Sequence, residues 1–276
     1  MFIDCHTHAF SDKIADRAVE QLINYYHIQT NWGGRLKDLI NAANEVKLDA
    51  LILLVAATKP EQLKPANDWM LTLSKQKPEE IQNELGVSRI PRIIPFGTFH
   101  PQHQDWESEI ERLHRAGIKG IKLHPEFQGI DLADPVMNRF YEAIAGRFIL
   151  MIHVGDPTKT LNNLSTPNKV ANILKNFPKV QIIAAHLGGY CFWEEALDTL
   201  TGKDIYLDTS SAIEYIDSRL LQQIVSKHGI EHILFGSDYP LRSPGQELLQ
   251  LDRIKGLTIS DKEKILGENC RRLLQI

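Results

Sequence analysis

Two histidines one residue apart, His6 and His8, stand in the opening MFIDCHTHAF, directly after a short apolar run. Further along, Lys122 and His124 occur in IKLHPEFQG, His153 ends FILMIH, His186 begins HLGG, and Asp238 lies in GSDYP. Imidazole, carboxylate and amine are the groups with which hydrolytic metal sites hold a divalent ion and move protons. None of these signals is specific alone. A His-x-His pair also fits a polar first turn, a lone histidine fits a hydrogen-bonded core position, and an Asp after Gly-Ser fits a turn or a helix N-cap. Their joint placement is what points to chemistry, so the elements that must bring them together are decisive.

Those elements alternate. Eight runs rich in aliphatic residues recur: Phe2 to Asp4, Ala50 to Val55, Ile93 to Phe99, Gly120 to His124, Phe148 to His153, Val180 to His186, Ile205 to Asp208 and His232 to Ser237. Continuous apolar runs of this length suit strands buried on both faces. Helical spacing fills the gaps: Ile14, Ala18, Leu22 and Ile23 share a stripe, as do Leu36, Leu39, Ile40 and Ala43, and Leu220, Leu221, Ile224 and Val225, the last closed by His228-Gly229. Ser260 with Glu263 has capping-box spacing. Strand–helix alternation of this kind predicts one (β/α)₈ TIM barrel over residues 1–276, and the absence of a GxGxxG turn argues against a dinucleotide-binding sheet.

Barrel sites sit where the strands end, and each candidate lies at the end of a run. With a period of two, His6 and His8 point inward, and Cys5 and Thr7 outward. The same phase groups Ile149 and Met151 with His153, Ile182 and Ala184 with His186, and Leu234 and Gly236 with Asp238. Cys5 is thereby expected between barrel and helices, away from His6. His100 in TFHP, His124 and Arg242 are candidates for substrate contact, Arg242 through a bidentate hold on a carboxylate. His27, His103, His114, His228 and His232 read as surface or packing residues, as do Trp32 and Trp69, with Trp69 and Trp32 also placed to wall an apolar pocket. Residues 27–34, 58–92 and 154–166 are the long connections expected to shape that pocket, the last as a mobile loop.

The ordered set HTH, IKLHPEFQG, His153, HLGG, GSDYP and the closing GENCRRLL resembles the amidohydrolase superfamily, more closely its amidohydrolase-2 branch of metal-dependent barrel hydrolases and related decarboxylases. The resemblance implies a divalent metal, zinc first and manganese or another ion as alternatives. His6, His8, His153 and Asp238 hold it in mononuclear members, with His186 polarising the substrate or handling a proton. In binuclear members His153 and His186 hold a second ion, and Lys122 stands where some members carry a bridging carbamylated lysine. Zinc lowers the pKa of bound water to about 7, so a hydrolase acting on a C–N or C–O bond is the first expectation, with Asp238 as general acid/base. Non-oxidative decarboxylation of a small carboxylic acid is the alternative, and a non-catalytic metal-binding barrel the third. Loss of Asp238 or of an HxH histidine would mark that third case, and neither is lost.

Composition narrows the partners. With 43% hydrophobic and 24% charged residues and a net charge of −4, nothing favours nucleic acid or an anionic membrane. No apolar run nears the ~20 residues of a membrane span, no signal peptide is visible, and three scattered cysteines make no disulfide framework. The expectation is a cytoplasmic enzyme with a small-molecule substrate, and the resemblance adds a homodimer.

Overall fold

The computed structural model describes residues 1–158 and 162–276. The eight predicted runs all become strand: β1 (Ile3–His8), β2 (Ala50–Leu54), β3 (Arg92–Pro95), β4 (Gly97–Thr98), β5 (Gly120–Leu123), β6 (Ile149–Ile152), β7 (Gln181–Ala184), β8 (Tyr206–Asp208) and β9 (Ile233–Leu234). The third run is split at Phe96 into β3 and β4, so hydrogen bonding forms two parallel sheets, β1 to β3 and β4 to β9. Backbone bonds close the ring at the other seam: Cys5 N–H donates to the Phe235 carbonyl at 2.9 Å and His8 N–H to that of Tyr239 at 2.8 Å. The fold is the expected (β/α)₈ barrel.

Side-chain alternation sorts the core. Ile3, Ile52, Phe96, Met151, Ile183 and Leu234 form one buried cluster inside the barrel, joined by Cys270, Leu273 and Leu274 of the last helix, Asn269–Leu274. The alternate residues Ile121, Leu123, Leu150, Ile152, Ile182 and Ala184 pack outward against the helices. Burying both faces is why these strands carry no polar alternation.

Three expectations need correction. A register shift between Asp4 and Thr7 inserts an extra residue into β1, so Cys5 and His6, though consecutive, both face the interior; Cys5 packs with Ile3 and Ile52 in the inner cluster. A β-bulge does this by breaking strict alternation. On β7 the inward residues are Ile183 and Ala185, not Ile182 and Ala184. The late capping box is Thr258 with Asp261, two residues earlier than read from sequence.

The connection over 58–92 holds α3 (Leu63–Lys75) and α4 (Pro78–Leu85), preceded in the chain by α1 (Ala15–Tyr26) and α2 (Leu36–Glu45). Of the expected 154–166 loop, residues 159–161 lie outside the described residues. No helix among the described residues is long and apolar enough to cross a membrane.

Candidate metal centre

Four strand ends bring their side chains to one place. His6 and His8 leave β1 on the inner side, their Nε2 atoms 3.2 Å apart. Asp238 follows β9 with a positive φ of 67°, a conformation that non-glycine residues adopt at a cost and that here turns its carboxylate back over the barrel. Its Oδ1 lies 3.5 Å from His6 Nε2 and 3.8 Å from His8 Nε2, while Oδ2 accepts from Ser211 Oγ at 2.9 Å. The three ligand atoms lie within 4.8 Å of one another.

The hydrogen bonds behind these rings fix where their lone pairs point. His6 Nδ1 donates to Asp208 Oδ2 at 3.0 Å, which leaves Nε2 as the acceptor. His8 is oriented by the Leu54 carbonyl. His186 Nδ1 donates to the Ser210 carbonyl at 2.8 Å, so its Nε2 accepts from His153 Nδ1 at 2.9 Å. His153 Nε2 is then a lone pair, buried at the floor of a cleft and without a hydrogen-bond partner. His186 reaches His153 through a positive φ of 61°, not through strand alternation. Both of its ring nitrogens are thus engaged, and it sits behind His153, not on the cleft wall.

Burial sets the charge of these groups. It holds His6, His124 and His153 well below the usual imidazole range, with neighbouring Lys122 or another imidazole adding to the effect. Burial also lowers His8 to about 3 and His186 to about 4. Neutral imidazoles are what a metal needs. Burial pushes the Asp238 carboxyl up and the Lys122 ammonium down, each opposed by the other's charge. Lys122 Nζ is 3.1 Å from His6 Nε2 and fully buried, and Lys122 is not among the described residues lining the cleft.

A divalent ion fits these residues. Acceptor atoms of His6, His8 and Asp238 converge within 4.8 Å of one another, and the orphaned His153 Nε2 lines the same floor. His6, His186 and Asp208 make a second compact group. His153 stands outside both groups as placed, turned to His186.

The remaining candidates separate. His124 lines the cleft, stacked between Phe127 (4.0 Å, 9°) and His153 (4.0 Å, 12°), with Tyr26 Oη 3.1 Å from its Nε2. His100 is buried with Nδ1 accepting from the Gln102 backbone at 3.4 Å and is not among the described residues lining the cleft. Glu247 and Glu214 pair with the Arg242 guanidinium, which also lies over Tyr215, and Arg242 is not among the described residues lining the cleft. Trp69 lines the cleft, whereas Trp32 packs 5.9 Å from Tyr239.

Sequence reasoning missed Asp208, Ser210, Ser211 and Tyr26. Asp208 ends the seventh run, so the strand-end test that found the others reaches it as well. Besides His6, it accepts from the backbone N–H of His186 at 3.0 Å and thereby holds two histidines. The serines and Tyr26 carry no comparable signal.

A family model described as Amidohydrolase matches residues 3–276. A 2-amino-3-carboxymuconate-6-semialdehyde decarboxylase of Caenorhabditis elegans is 28% identical over 141 residues, 45% of this chain; the match spans about a third (34%) of that relative's length. Among solved structures, an uncharacterized TIM-barrel protein from Bordetella bronchiseptica superposes with a TM-score of 0.76 at 12% identity, covering 99% of this chain and 98% of that one. A dihydroxybenzoic acid decarboxylase from a Polaromonas species, with bound manganese and the inhibitor 2-nitroresorcinol, gives 0.68 at 14% identity, covering 99% and 96%. At these identities the two structures support the fold.

Proposed function

The chain belongs to the amidohydrolase family, and on that premise we propose that it is a metal-dependent, non-oxidative decarboxylase of an organic acid with a flat, unsaturated head, acting in the cytoplasm. The observation that carries this reading is the pairing of a metal-ready histidine group with a buried carboxyl placed to relay a proton. Asp238 is buried, is raised above the usual carboxylate range, and stands at the rim of the His6–His8 pair. Two of the similar proteins named above are decarboxylases, which agrees with it.

His6, His8, His153 and Asp238 would hold the ion, zinc or manganese, whose chemistry when bound is to neutralise and orient an anionic substrate. This chain's residues supply the rest. Phe127, His124 and His153 stack face to face beside the metal group, an aromatic column against whose side a planar acid can pack. Burial of His6, His124 and His153 lowers the effective dielectric at the floor, which strengthens each electrostatic contact there. The carbon–carboxylate bond breaks, CO₂ leaves, and the electron pair stays on the substrate carbon. A proton taken up from water by the Asp238 carboxylate then passes to that carbon, forming the C–H bond. His186 positions His153, and Asp208 positions His6.

Hydrolysis of a C–N or C–O bond is the second reading. Lys122 favours it: a buried amine of lowered basicity, 3.1 Å from a ligand histidine, is the type of group that carbamylation converts to a metal bridge in some hydrolases of the superfamily.

The experiment is incubation of zinc- or manganese-loaded protein with unsaturated and aromatic acids, lactones and amides. CO₂ is followed by a coupled assay and hydrolysis by released acid. CO₂ release without hydrolytic product is expected; hydrolysis of lactones or amides without CO₂ would overturn the first reading in favour of the second.

A further inference from the structure

The floor that holds the metal group is one end of a longer space. A cavity of about 850 Å³ runs from His8, His153 and Asp238 outward between α1 on one side and α3 and α4 on the other. At roughly 30 Å³ per water, that is room for on the order of 25–30 water-sized groups, toward the upper end for ligand pockets. A flat acid at the metal group fills only its inner part.

The walls of the outer part are apolar by periodicity. Ala18 and Leu22 lie four residues apart on α1, and Ala66, Trp69 and Leu73 lie at helical spacing on α3, with Leu85 of α4 beyond them. Stripes of this kind ordinarily bury against a neighbouring element. Here they face a shared cavity, and the alanine on each wall keeps it wide. Ala18, Leu22, Ala66, Trp69 and Leu85 remain partly exposed, and apolar surface left open on a soluble barrel marks a binding surface. Polar side chains return at the mouth, where Lys13, Arg17 and Glu84 line the opening.

We infer that the substrate is amphiphilic: a flat acid head at the metal group and an elongated apolar body, alkyl or arylalkyl, lying between α1 and α3. The inference rests on the reading of the cleft floor as the reacting end. Continuity of the cavity with that floor commits the groove to the substrate's own tail.

The test is binding without turnover. Zinc-loaded protein is titrated calorimetrically with 4-n-alkylbenzoates, from benzoate to 4-octylbenzoate. Affinity should rise about three- to fourfold per added methylene until the groove is full, with an increasingly negative heat-capacity change. Ala66→Phe, and from the opposite wall Ala18→Phe, should each remove the gain for the longer members and leave benzoate within about twofold. A series flat in chain length, absence of binding by every member, or an unaltered gain in both variants would overturn the inference. So would tighter binding of terephthalate than of the alkylbenzoates, which would assign the mouth to anion recognition by Lys13 and Arg17. Because binding is read apart from catalysis, failure to release CO₂ would remove the decarboxylase reading and leave the chain-length series to be judged alone.

Discussion

His6 Nδ1 and Asp208 Oδ2 lie 3.0 Å apart in the barrel interior, both fully buried. The contact decides which ring nitrogen of His6 carries hydrogen, and so which one is left for a metal. Asp208→Asn keeps the shape but weakens the acceptor and removes its charge. Zinc affinity should fall about 10–100-fold with the far-UV circular dichroism unchanged, as measured by competition with a chromogenic chelator. Wild-type affinity in Asp208→Asn would show that His6 needs no such partner.

Metal binding should depend on pH through Asp238 and not through the histidines. His8 and His186, lowered to about 3 and about 4, are already neutral above pH 5. Asp238 is raised by burial, so in the metal-free protein it still binds a proton where an ordinary carboxylate has lost it. A metal must displace that proton. Affinity should therefore keep rising with pH above 5, and near pH 6 binding should release close to one proton. Calorimetry in buffers of different ionisation enthalpy measures that number. In Asp238→Asn the release should vanish, and turnover should drop by at least about 10²-fold.

How much of this could be read from the sequence depends on which rule governs each residue. Placing polar side chains at strand ends follows from barrel geometry, and the rule brings His6, His8 and Asp238 together with His153 beside them. The inward phase of His186 does not follow, because its side chain is aimed by a left-handed backbone beyond the strand and not by the pleat. Cys5 fails for a related reason: a single inserted residue in β1 sets it on the same side as His6. Arg242 reads as a candidate for holding a substrate carboxylate because nothing local reveals Glu214, 28 residues earlier in the chain, as its partner. The pocket between α1 and α3 depends on how two connections pack together, which periodicity within either one leaves undefined.

Gly236 is required by closeness, not by backbone conformation. A Cβ built there would lie 2.9 Å from His6 Cβ and 3.2 Å from Ser210 Cβ. Gly236→Ala must push one of these away, and both belong to the hydrogen-bond set that orients His6 and His186. Overpacking of this kind costs about 1–3 kcal/mol. Urea unfolding should show that loss, together with a metal affinity reduced at least severalfold. Unchanged values for both would mean that the interior yields without cost.

His228 offers a pH test remote from the metal group. It is buried at the end of helix Ser218–His228, with Nδ1 accepting from the Gly202 backbone N–H at 3.3 Å. Burial lowers it to about 4 from the usual 6.5. The folded state thus binds fewer protons than the unfolded chain between those values, and stability must fall as pH drops through that window. The contribution is fully present above pH 6.5 and is lost toward pH 4, by on the order of 1–3 kcal/mol. Other buried histidines act in the same direction, so the informative quantity is a difference. His228→Gln, which keeps a side-chain acceptor for Gly202 and cannot titrate, should lose less stability than wild type between pH 7 and pH 5 in urea unfolding. An equal loss in the two proteins would place the acid sensitivity elsewhere.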